Sequence, residues 1–137
     1  AYEIGVRLVG SEMCIRDSYQ RILTLCNKEK AITEGEFFDL MYANANGWRF
    51  NEHKQYTFLR KAGKELLFII VNFDHISVDV AINVPSHAFD FLQIPQMDIY
   101  PAVDLLTGKT ESISLLPYKA TEISVEGYSG KILKIKL

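Results

Sequence analysis

The longest purely apolar run in the sequence is Leu66–Val71, Leu-Leu-Phe-Ile-Ile-Val, with Gly63 ahead of it and Asp74 behind it. It falls well short of the roughly 20 residues that a membrane-spanning helix needs, and its β-branched and aromatic content favours a strand. A strand that is apolar on both faces has to be covered on both faces. The pattern therefore predicts the central strand of the core over Lys64–Asp74, with the chain after about Glu36 arranged to cover it.

Ahead of this strand the period is helical. Tyr19, Ile22, Leu23 and Cys26 fall at i, i+3, i+4 and i+7 and form one apolar stripe, with Gln20, Arg21, Thr24 and Asn27 on the other face. Asp17 or Ser18 can cap the start, and Lys28 and Lys30 suit a C-terminus, where the helix dipole favours cations. No other stretch carries so strong a helical pattern.

After Glu34-Gly35 the period shortens to two. Glu36–Asn44 reads as a strand with Phe38, Leu40 and Tyr42 on one face, and Tyr56–Arg60 as a second, joined through Ala62-Gly63-Lys64 to the central strand. Val78, Val80, Ile82 and Val84 alternate with Asp79, Ala81 and Asn83, a half-buried strand, and Pro85 can open a helical turn through Phe89. Met97–Leu106 is a strand that Pro101 marks as an edge or a bulge. Leu106–Lys109 is a tight turn into the return strand Glu111–Leu115, and Pro117-Tyr118 turns the chain again. Glu122–Glu126 and Leu133–Leu137 flank Gly127–Gly130 as a final hairpin, with Lys134 and Lys136 on the outer face of an exposed strand. Roughly seven or eight short, evenly spaced strands predict an all-β domain, an antiparallel Greek-key β-sandwich preceded by one amphipathic helix.

Composition changes this picture little. The 137 residues suffice for one domain with a core, and 48% hydrophobic with 23% charged is ordinary for a globular chain. A net charge of −2 points to no polyanionic partner, so nucleic acid is not expected. No run is long enough for a membrane helix. Cys14 and Cys26 have neither disulfide-framework nor metal-ligand spacing, and His53, His75 and His87 are scattered singly, so no metal and no cofactor is expected.

Residues 1–18 do not read like the rest. Val6–Ser18, Val-Arg-Leu-Val-Gly-Ser-Glu-Met-Cys-Ile-Arg-Asp-Ser, resembles a translated sequencing adaptor, and 1–18 is set aside as an artefactual, non-native segment. The alternative is a native strand, Ile4–Val9, from a preceding domain.

Three stretches together resemble the C-terminal end of an α-amylase family glycoside hydrolase (family thirteen). Tyr19–Ile32 resembles the last helix of that family's barrel, departing from its pattern at Cys26 and Lys30. Glu34–Asn44 resembles the first strand after the barrel, and Tyr56–Arg60 with Glu65–Asp74 the strand pair that begins the appended sandwich. Leu116-Pro-Tyr-Lys-Ala120 resembles the family's closing turn. The resemblance implies that 19–33 is left over from a (β/α)8 barrel and that 34–137 is the C-terminal β-sandwich. It implies a bacterial parent enzyme that cleaves or transfers α-glucosidic bonds, with the missing barrel of the same parent chain as the partner of this fragment.

Retaining glycosidases use two carboxylates roughly 5–5.5 Å apart, set at the ends of barrel strands. Glu34, Glu36, Asp39, Asp74 and Asp104 match no catalytic motif of that family and read as solvated turn or edge residues, so no catalytic residue is expected in this fragment. The candidate glycan contacts are Trp48, Asn46 and Arg49, beside Asn44, since an aromatic face stacks on a sugar ring and amides bond its hydroxyls. The plainer reading of Trp48 is a plug at the end of the sandwich or a contact with the barrel. Three functions follow: a non-catalytic accessory sandwich stabilising an α-glucan-active barrel, a carbohydrate-binding module, or an unrelated adhesion or interaction sandwich.

Overall fold

The computed structural model describes residues 20–45 and 47–137. The assignment of 1–18 as artefact, and with it Cys14, Tyr19 and Asn46, lies outside the described residues. The described residues open on a helix, α1 (20–28), followed by the single turn α2 (Lys30–Thr33). Eight strands follow: β1 (Glu36–Asp39), β2 (Gln55–Ala62), β3 (Glu65–Asn72), β4 (Val78–Ile82), β5 (Met97–Asp104), β6 (Thr110–Leu115), β7 (Thr121–Val125) and β8 (Ser129–Lys136). A third helix, α3 (Ser86–Leu92), lies between β4 and β5. The strands form two antiparallel layers, six in the order β1-β2-β3-β8-β5-β6 and two, β4 and β7, opposite them. This is the expected all-β sandwich with a helix before it.

The Leu66–Val71 run is the centre of the larger sheet, with β2 on one side of β3 and β8 on the other. Its two apolar faces have two destinations. Leu66, Phe68 and Ile70 point inward to the main core with Leu59, Val80, Ile82, Leu133 and Ile135. Leu67 and Ile69 point outward to a second cluster under Ala31 of α2. Each such burial is worth roughly 1.5–3 kcal/mol, which is why a short run that satisfies both layers organises the fold. The β2–β3 hairpin closes through Gly63 at φ 61°, a left-handed position that costs glycine nothing.

Several expectations need correction. β1 stops at Asp39, because its carboxylate accepts the Met41 amide at 2.9 Å and turns the chain into a 3-10 turn over Tyr42–Asn44. Tyr42 is consequently exposed, while Leu40 is buried as expected. β4 ends at Ile82, and its outward Ala81 is buried too, because its amide bonds the Arg49 carbonyl. The turn after Pro85 runs three residues past Phe89, to Leu92, as α3. Pro101 pairs in register with Ser112, just past a register shift between Met97 and Tyr100, and lies beyond the two residues where β5 pairs with β8, so its missing amide falls where β5 has a strand partner on one side only.

The largest correction is at the end of the chain. Gly127–Gly130 is not a hairpin: β7 pairs with β4 in one sheet, and β8 returns to the other between β3 and β5. Alternating residues mark two strands but not whether they pair with each other. The crossover is held by buried Asn72, whose amide donates to the Ile76 and Glu126 carbonyls at 3.0 and 3.2 Å. β8 is therefore an interior strand. Lys131 and Lys134 are half-buried and ion-paired, to Glu111 at 2.7 Å and to Glu29 at 2.9 Å, and of the outer-face lysines only Lys136 is freely solvated.

Candidate functional site

The candidate residues sit on the loop between the 3-10 turn and β2, and the loop is fixed at both ends. Asn44, expected to present its amide to a ligand, is instead fully buried. Its Nδ2 donates to the Leu40 and Asn83 carbonyls at 2.8 and 3.0 Å, and its Oδ1 accepts the Asn83 amide at 2.7 Å. That clamps the start of the loop to the end of β4. At the far end Phe50 drops into the main core.

Between these anchors Arg49 adopts φ 58°, a left-handed conformation uncommon for a residue with a side chain. Its carbonyl accepts the Ala81 amide at 3.1 Å along the free edge of β4. Its Nε donates to the Asp79 carbonyl at 3.0 Å, and its Nη1 pairs with Glu122 Oε1 at 2.6 Å. Backbone held in a sparsely populated region persists where the surroundings over-determine it, and here three bonds do so. The guanidinium also lies 5.0 Å from the centroid of the Trp48 ring, within cation–π range. Trp48 itself is 71% exposed, so it does not plug the end of the sandwich. Behind the loop is an open cleft of about 380 Å³ floored by Phe50, Asn51, Gln55, Asp74 and Asp79.

The acidic candidates are dispersed. Glu34 and Glu36 are exposed, and Asp39 serves its turn. Asp74 and Asp104 are buried, contrary to the solvated placement expected of them, because turns inside a two-layer fold consume carboxylates. Asp104 accepts the Leu106 amide at 3.1 Å and the Thr107 hydroxyl at 3.1 Å, closing the β5–β6 turn. For Asp74, burial pushes the carboxyl up, but the His75 amide at 2.8 Å and the Lys54 ammonium at 3.5 Å outweigh it and leave the pKa below the ordinary 3.8. A general acid needs a raised pKa, so this shift runs the wrong way for that role. Among the described residues no cluster of three or more His, Cys, Asp or Glu is placed to hold a metal, and no helix is long and apolar enough to cross a membrane.

Two exposed apolar groups were not legible in the sequence. On the outer face of the larger sheet Phe37, Phe58 and Tyr56 stack in a row, with centroid separations of 5.2 and 5.6 Å. On the same layer α1 leaves Leu23 and Cys26 exposed, while Ile22, also exposed, lines a cleft shared with Ile69 and Val71, and Arg21 ties the helix down by donating to the Leu106 carbonyl. At the β1 edge Phe38, Tyr42, His87 and Phe91 pack together, with the Tyr42 hydroxyl 3.0 Å from His87 Nε2. Register, which juxtaposes residues from distant segments, is what the sequence lacked.

The architecture matches enzymes of known structure. An α-amylase from Anoxybacillus superposes over 88% of this chain and 22% of its own, with TM-score 0.59 and 16% identity. A maltogenic α-amylase from Thermotoga neapolitana does so over 85% and 24%, with TM-score 0.63 and 14% identity. The fold is that of a β-domain carried by α-amylase family enzymes. Trehalose-6-phosphate hydrolase from Bacillus licheniformis shares it over 87% of this chain and 18% of its own, with TM-score 0.54 and 19% identity. The resemblance read from the sequence thus reappears in the fold, and the chain spans about a fifth of the length of these α-amylase family glycosidases. No protein-family model and no curated protein matches the chain.

Proposed function

We propose that the chain is the non-catalytic C-terminal β-sandwich of an α-amylase-like glycoside hydrolase acting on α-glucans, and that it stabilises the catalytic barrel. Residues 19–33 then belong to the last barrel helix and 34–137 to the sandwich. The observation that carries this reading is the apolar outer side of α1 and the larger sheet. Ile22 and Leu23 are 44% and 58% exposed, and the Phe37–Phe58–Tyr56 row lies on the outer face of the larger sheet. Between α1 and the sheet lies an open apolar cleft of about 850 Å³ whose walls include Ile22, Ile69, Val71 and Phe73. Apolar groups of this extent on one face mark a surface that another body covers. The α1 and α2 segments cross this same face. A barrel docked on that face buries it.

The test is turnover of a p-nitrophenyl α-glucoside and of maltooligosaccharides by the pure chain. The expected result is none. Turnover that disappears when one of the chain's own carboxylates is changed, Asp74→Asn or Asp104→Asn, overturns the reading.

A further inference from the structure

We propose that the Trp48 loop is a glycan platform, on which the open face of the indole stacks against the pyranose rings of an α-linked gluco-oligosaccharide. The stacking chemistry rests on the loop, and the choice of α-glucan rests on the function proposed above.

A pyranose presents an apolar C–H face and carries its hydroxyls around the rim. It is matched by a flat aromatic surface with hydrogen-bonding groups at the edge. The loop supplies both. The indole is 71% exposed, and the Arg49 guanidinium backs it at 5.0 Å. Arg49 has five N–H donors, and its named bonds employ only Nε and Nη1. None of these bonds employs Nη2, and the Glu122 side chain is 60% exposed, so polar groups next to the ring remain open to sugar hydroxyls.

The backbone that carries the ring is also held in advance. Ordering a mobile side chain on binding costs affinity, whereas this loop is already tied down by Asn44, by the Arg49 carbonyl and by Phe50. Moreover, Trp48 is not on the face proposed for the barrel. Its neighbour Arg49 bonds Ala81 and Asp79 of β4 and Glu122 of β7, which form the smaller sheet, whereas Phe37, Phe58 and Tyr56 lie on the outer face of the other layer. A barrel docked on the larger sheet leaves the indole open to solvent.

Trp48 is the sole tryptophan, so its emission reports directly on the site. The chain is titrated with maltoheptaose and, separately, with cellohexaose, up to about 10 mM, above the millimolar range in which a weak single site saturates. The expected result is a saturable change in emission with maltoheptaose alone. In gels containing amylopectin the parent is retarded, Trp48→Phe keeps most of that retardation, and Trp48→Ala binds about tenfold more weakly. An unchanged emission with both sugars, or equal retardation of the parent and Trp48→Ala, overturns the site and leaves the accessory-domain reading in place. A response to cellohexaose with none to maltoheptaose overturns the α-glucan assignment, and with it the substrate class proposed for the parent enzyme, while Trp48 remains the stacking ring.

Discussion

Lys134 Nζ lies 2.9 Å from Glu29 Oε2, joining the break between α1 and α2 to an interior strand of the sheet. Glu29 is buried and Lys134 half-buried, and Glu65 approaches the same ammonium at 3.6 Å. The hydrogen bond to Glu29, against some loss of hydration, raises the Lys134 pKa above its ordinary 10.5. A raised lysine pKa means that the pair contributes fully below the unfolded value and fades as pH rises through the folded one. Its contribution is therefore present at neutral pH and on the alkaline side is lost above pH ~10.5. Glu29→Ala leaves the half-buried ammonium only the longer contact with Glu65 and is expected to cost about 1–2 kcal/mol, between exposed and fully buried pairs. Urea midpoints at pH 7 for the parent, Glu29→Ala and Glu29→Ala with Lys134→Met test this. The double variant is expected to recover part of the loss.

Core substitutions should sort by layer. Ile70 is fully buried between the two sheets, and Ile70→Ala is expected to cost roughly 2–5 kcal/mol. Ile69 faces outward under α2, where the helix can settle into the gap, so Ile69→Ala belongs at or below the lower end of that range. Asp79 is exposed and its carboxylate bonds only the Ser124 hydroxyl, so Asp79→Ala should stay within about 0.5 kcal/mol. Equal denaturant midpoints for Ile70→Ala and the parent would remove Leu66–Val71 from the centre of the fold.

The crossover at Gly127 can be tested as directly. A Cβ there would lie 2.3 Å from the His75 carbonyl oxygen, because the two connections that switch sheets run side by side. Gly127→Ala is expected to destabilise by about 1–3 kcal/mol, as for other substitutions that force backbone to move. An exposed hairpin tip would accept the methyl group freely, so an unchanged melting temperature would contradict the crossover.

That position also shows what the sequence could and could not carry. The β3 run, the Gly63 hairpin and the one-sided pairing at Pro101 were legible because each is local: an apolar period, a left-handed position or a missing amide marks the chain where it stands. Partner choice is not local. Leu133, Ile135 and their intervening lysines read as an outer strand because alternation reports one buried face and is silent on how many neighbours flank the strand. The same limit applies to the site. Trp48 was visible as the lone tryptophan in an Asn- and Gly-containing loop, whereas the burial of Asn44 depends on Asn83, thirty-nine positions away. The left-handed Arg49 had no signal at all, since its conformation is imposed by β4 and β7.

The first helix separates an accessory domain from a self-contained one. Its stripe was expected to be Tyr19, Ile22, Leu23 and Cys26. Of these Ile22, Leu23 and Cys26 are exposed, Ile22 on the wall of the cleft between the helix and the sheet, and Arg21 bonds the Leu106 carbonyl of the sandwich. Covering an exposed aliphatic side chain is worth roughly 1.5–3 kcal/mol, so Ile22 and Leu23, with Phe37 and Tyr56 also exposed on the larger sheet, are a strong incentive to associate. The chain on its own should form dimers or larger species at tens of micromolar. Ile22→Glu with Leu23→Glu places two charges where both side chains already meet solvent. The double variant should therefore stay folded, keep its near-UV circular dichroism and sediment as a monomer. In a self-contained domain the same pair would bury two carboxylates without partners, which a fold of this size does not survive. Sedimentation velocity of both proteins decides it: a monomeric parent with an unfolded double variant would remove the docking face, and with it the accessory-domain reading.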